Sequence, residues 1–73
     1  MPIIEVHMWE GRGTEQKRRL ARELTETVVR VLQCDPASVR VLLNDYPPQN
    51  WAIGGTLVAD AGEGGTPGAP PDA

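Results

Sequence analysis

The sequence predicts an α/β chain: a single β-α-β unit with a short C-terminal hairpin or strand, assembled as an oligomer with sheets paired across subunits. Three observations predict it. A segment with a period of two, Pro2 to Trp9, precedes a long amphipathic segment, Glu15 to Gln33, and a second period-of-two segment, Val39 to Asp45, follows. The chain has only 73 residues, and chains this short bury little core. Its single cysteine, Cys34, excludes an intrachain disulfide, so association with other subunits is the remaining source of stability.

In the first segment Ile4, Val6 and Met8 alternate with Glu5, His7 and Trp9, as in a strand. Gly11-Arg12-Gly13 breaks the strand. Thr14 is the expected N-cap of the helix, with Glu15 favoured by the positive end of its dipole. Leu20, Leu24, Val28 and Val31 form the apolar stripe, widened by Ala21 and Leu32. Lys17, Arg18, Arg22, Glu26 and Arg30 belong to the solvent side. Pro36 stops the helix, because it disfavours the helical conformation of the residue before it.

In the second strand Val39, Val41 and Leu43 share one face, and Arg40, Leu42 and Asn44 the other. Pro47-Pro48 ends it. Residues 49 to 53 read as a loop or short hairpin arm. Gly54-Gly55 reads as a tight turn before a brief strand at Thr56 to Val58. Strand, helix and strand imply parallel strands joined by a right-handed crossover. Two strands and one helix do not stand alone in water, so topology and length both predict a multimer. Residues 1–58 are the expected domain. Residues 59–73 are rich in Gly, Pro, Ala and acid, without period, and read as a disordered tail.

Composition excludes several functions. Within residues 1–58 seven basic and seven acidic residues cancel, and the net charge of −3 comes from Asp60, Glu63 and Asp72. There is no basic excess for nucleic acid. No apolar run is long enough to span a membrane, and no signal-peptide pattern opens the chain. With a free cysteine, this gives a cytoplasmic location as the expectation. One His and one Cys do not make a zinc site, and no phosphate loop or Ser-His-Asp spacing is present.

The residue that invites chemistry is Pro2. Removal of Met1 leaves a secondary amine on an ordered strand. Such an amine is a base whose pKa falls in an apolar pocket beside cations. Arg40 is unusual for an arginine, standing in a strand between two valines. Guanidinium groups grip carboxylates in two-point fashion, so Arg12 and Arg40 near one base imply a small anionic substrate, a dicarboxylate or keto acid. Pro2 and Arg12 lie at opposite ends of the first strand, roughly 26 Å apart at ~3.3 Å per residue. They therefore serve one site only across subunits. Trp51 and Trp9 are candidate apolar walls, equally suited to packing. His7 and Cys34 read as structural, and Tyr46 has no evident partner.

Pro2-Ile3-Ile4, Glu10-Gly11-Arg12, Glu15-Gln16-Lys17, Ser38-Val39-Arg40-Val41 and Trp51-Ala52-Ile53-Gly54-Gly55 together resemble the 4-oxalocrotonate tautomerase family over residues 2 to about 58. The resemblance implies a tautomerase-like fold assembled as a homohexamer, a trimer of dimers. It implies a cofactor-independent isomerase whose N-terminal proline, Pro2 after loss of Met1, is the general base. Its reaction would move a proton in an enol or unsaturated 2-keto acid such as 2-hydroxymuconate. It implies that Arg40 binds a substrate carboxylate and the 2-oxygen, and that Arg12 grips the far carboxylate. Two departures bear on the substrate: Trp51 stands where well-known members have phenylalanine, and the C-terminal region is acidic where theirs is basic. Trp51 also fits biosynthetic homologues and haloacrylate dehalogenases or hydratases, with protonated Pro2 as acid. A non-catalytic oligomeric binding module is the third reading.

Overall fold

A computed structural model of the chain describes residues 1–61. Two long strands are present, β1 (Ile3–Trp9) and β2 (Arg40–Tyr46), with the helix α1 (Thr14–Leu32) between them in sequence. A small hairpin follows, β3 (Ala52–Ile53) and β4 (Thr56–Leu57). β1 pairs with β2, and β3 pairs antiparallel with β4. The Arg40 amide donates to the Pro2 carbonyl at 2.9 Å, and the Glu10 amide to the Tyr46 carbonyl at 3.0 Å. Start meets start and end meets end, so β1 and β2 are parallel. Both bonds fit one register, which sets Ile3 beside Arg40 and Trp9 beside Tyr46.

The described chain forms two compact units. The first holds residues 1–6 and 12–44; the second holds residues 7–11 and the chain from Asp45 onward. In the first unit Ile4, Val6, Val41 and Leu43 are half-buried, as are Leu20, Leu24 and Val28 of α1. The alternating partners Ile3, Glu5, Arg40 and Leu42 are exposed. None of the described residues is fully buried, and Ile3 and Leu42 remain 59% and 48% exposed. Apolar side chains in that state are expected where another subunit completes the core.

The helix differs from expectation at both ends. Gly13, not Thr14, is the N-cap; it caps without a side-chain hydrogen bond, and Lys17 N–H donates to its carbonyl at 3.1 Å. Gly11 takes φ +115°, a turn that only glycine makes easily, and so Thr14 already falls inside the helix. At the other end Gln33 adopts the left-handed conformation and its amide closes on the Val29 carbonyl at 2.8 Å. Val31 and Leu32, expected in the buried stripe, lie in this last turn and are exposed, while Val29 and Lys17 are half-buried. On the solvent side Arg19 and Glu23 pair at 2.6 Å. The hydrogen bond and charge of Arg19 hold the Glu23 carboxyl below its ordinary pKa.

β2 begins one residue later than predicted. Pro36–Ser38 form a 3-10 turn capped by the Asp35 side chain, which accepts from the Ala37 amide at 3.0 Å. Val39 closes that turn through its amide to the Pro36 carbonyl at 3.2 Å, which keeps it out of the ladder. A second 3-10 turn, Pro48–Asn50, precedes β3, and a third, Val58–Asp60, follows β4, where a strand residue was expected at Val58. Gly54 and Gly55 have φ of +61° and +90°, the paired positive values of a type I′ hairpin turn. Of the expected disordered tail, Ala59–Ala61 are described, and residues 62–73 lie outside the described residues.

Candidate active site

The structure sorts the candidate residues into two groups. Pro2 and Arg40 belong to the first unit and are joined through their backbones at the opening of the β1–β2 ladder. Pro2 is half-buried and Met1 exposed. The Arg40 side chain stands on the outward-facing row of β2 with Ile3 beside it, and one guanidinium nitrogen donates to the Ala37 carbonyl at 3.0 Å. That bond anchors the guanidinium itself while leaving further N–H donors for an anion. Arg12, half-buried, lies between Gly11 and Gly13 just ahead of α1.

Trp9 and Trp51 belong to the second unit and stack on one another, with centroids 4.5 Å apart and planes 15° from parallel. Tyr46 meets Trp51 edge to face, at 5.7 Å and 86°. Its hydroxyl lies 2.7 Å from Nδ1 of His7, and the two rings stack at 5.7 Å. A cleft of about 280 Å³ opens beside this cluster, lined by His7, Tyr46, Asn50, Trp51 and Ala52.

Tyr46 and Asn50 were not found by sequence reasoning, and His7 was read as structural. The missed signal was the period of β2. One more residue past Asp45 puts Tyr46 on the same face as Arg40, Leu42 and Asn44, and the parallel register carries that face across to His7 and Trp9. Asn50 carries no such signal, because it sits in a turn. Among the described residues no group of three or more His, Cys, Asp or Glu is placed to hold a metal ion. No helix of the described residues is long and apolar enough to cross a membrane.

Residues 2–61 match the family model described as "Tautomerase enzyme". A 2-hydroxymuconate tautomerase of Stutzerimonas stutzeri is 44% identical over 55 residues, which is 75% of this chain and 87% of that protein. The crystal structure of a 4-oxalocrotonate tautomerase homologue superposes with a TM-score of 0.76 at 42% identity, over 82% of this chain and 95% of that one. The heterohexameric 4-oxalocrotonate tautomerase of Chloroflexus aurantiacus superposes with a TM-score of 0.72 at 36% identity, over 84% and 98% of the two chains. Oligomers thus occur among the homologues. The family match runs from Pro2 through the hairpin, and the chain belongs to the tautomerase family, enzymes that isomerise their substrates by keto-enol proton transfer.

Proposed function

We propose that residues 1–58 form a cofactor-independent catalytic domain in which Pro2, once Met1 is removed, is the general base. The substrate is an enol or unsaturated 2-keto acid such as 2-hydroxymuconate, the substrate named for the relatives. The secondary amine takes the proton of the 2-hydroxyl and returns a proton to carbon farther along the conjugated system. Arg40 binds a carboxylate and the 2-oxygen, stabilising the negative charge that develops there. Arg12 of a neighbouring subunit grips the far carboxylate and draws electron density toward it. Trp51 and Trp9 supply apolar walls, and the assembly is a homohexamer acting in the cytoplasm.

The observation that carries this reading is the 2.9 Å bond between the Arg40 amide and the Pro2 carbonyl. It brings an always-charged, anion-binding side chain to the end of the sheet where the amine stands. A nearby cation favours the neutral, basic form of that amine. The exposed Ile3 and Leu42 support the assembly.

The test is turnover of 2-hydroxymuconate by the protein whose N-terminus has been read by mass spectrometry. Pro2→Ala leaves a primary amine of different basicity and shape and is expected to lose at least tenfold in kcat, within the range general-base catalysis supplies. Full activity in both Pro2→Ala and Arg40→Ala rejects the mechanism.

A further inference from the structure

We infer that Tyr46 is a positioning and specificity residue: held by His7, it fixes Trp51 as a stacking surface for the flat, conjugated part of a substrate. The inference rests on the proposed role of Trp51 as a pocket wall, and it concerns residues to which that reading gives no part.

Trp51 stands between a 3-10 turn and a two-residue strand, a stretch with little regular structure of its own. Its backbone is nevertheless tied on both sides, through its amide to the Pro48 carbonyl at 3.4 Å and its carbonyl to the Val58 amide at 2.8 Å. Its indole meets Trp9 on a face at 15° and Tyr46 at 86°. Two contacts so nearly perpendicular oppose different motions, tilt of the ring in one case and rotation in its plane in the other.

Tyr46 is itself held at three points. Its carbonyl accepts from Glu10 at 3.0 Å, its ring stacks with the His7 imidazole at 5.7 Å, and its hydroxyl lies 2.7 Å from His7 Nδ1. The cleft beside them is lined by the rings of His7, Tyr46 and Trp51 with Asn50 and Ala52, and neither arginine nor lysine is among these residues. It therefore suits the part of a ligand remote from its acid group. The Asn50 amide and Tyr46 hydroxyl offer hydrogen bonds at the edge of a flat ring.

Binding of two inert acids to the intact protein separates the possibilities without any turnover: trans-cinnamate, which carries a flat aryl group, and fumarate, a small diacid. Calorimetry is expected to show cinnamate bound more tightly than fumarate by the wild-type protein. Tyr46→Phe, which keeps the ring and loses the hydroxyl, should weaken cinnamate about twofold to threefold. Tyr46→Leu should weaken it about tenfold, the span expected for losing an aromatic pair. Fumarate affinity should stay unchanged in both, and the exciton couplet of the Trp9–Trp51 pair in circular dichroism should shrink in Tyr46→Leu. Equal loss for both acids, or no preference for cinnamate in the wild type, overturns the inference. Where Tyr46→Leu does not fold, Tyr46→Phe decides the matter alone. Because neither acid transfers a proton here, failure of the Pro2 mechanism is read separately from the Pro2→Ala rates.

Discussion

The backbone amide of Arg40 donates to the carbonyl of Pro2 across 2.9 Å. The first rung of the parallel ladder thus joins the proposed base to the proposed anion binder. Arg40→Lys keeps this amide bond and the positive charge but loses the planar fork. Its kcat/KM on 2-hydroxymuconate is expected to fall about tenfold to a hundredfold, the scale of one to two charge-assisted hydrogen bonds. Its melting temperature should not move, since the charge and the backbone bond to Pro2 are both kept. Steady-state kinetics beside thermal denaturation checks both halves, and a matching loss of stability would assign Arg40 to structure.

The hairpin turn makes a sharper distinction between neighbours. Gly55 has φ +90°, and an L side chain is strained there even though open space surrounds the position. Gly55→Ala should destabilise the protein by about 1–2 kcal/mol. Gly54 has φ +61°, close to the left-handed well that asparagine tolerates. Gly54→Asn should cost only a few tenths of that. Urea denaturation of the two variants ranks them directly.

Leu42 is 48% exposed on the face that also carries Ile3 at 59%. If that face is covered by another subunit, Leu42→Arg places a charge in a dry interface and should split the assembly. Sedimentation should show smaller species, and the wild-type melting temperature should rise with protein concentration while that of the variant does not. An unchanged sedimentation coefficient would place the interface elsewhere.

The pair Arg19 and Glu23 sets a weak dependence of stability on pH. Arg19 lowers the carboxyl of Glu23 in the folded chain, so the contribution exists above the unfolded carboxylate value of about 4.3. It disappears as pH falls through the lower folded value. Both side chains are well exposed, and salt screens the interaction. Glu23→Gln should therefore lower the melting temperature slightly at neutral pH and low salt, and should match wild type in strong acid. A difference that persists in acid would point to packing instead.

The main elements were legible because their periods differ. Ile4-Glu5-Val6-His7 alternates strictly, whereas Leu20, Leu24 and Val28 repeat at helical spacing, and both patterns survive as half-buried rows. The ends were less legible because side chains and glycines decide them one at a time. Asp35 caps a 3-10 turn that delays β2, and Gly11 bends the chain so that Gly13 replaces Thr14 as the cap. Pro2 was singled out for the amine it would expose and Arg12 for its guanidinium, while Arg40 stood out as an arginine in a strand between two valines. The His7–Tyr46 bond did not, because 39 residues separate the partners and only the register of β1 against β2 joins them.

None of the residues from 1 to 61 is fully buried within a single chain. Under the proposed assembly this has a genetic consequence. A faulty copy would not act alone: each altered subunit would enter a shared interior and lend its Arg12 to a neighbour's site. One defective allele expressed beside a normal one should then depress activity below half where the fault loosens the shared interior, so that faults at Ile3 or Leu42 behave as dominant, whereas a fault at Arg12 silences only the sites that receive it.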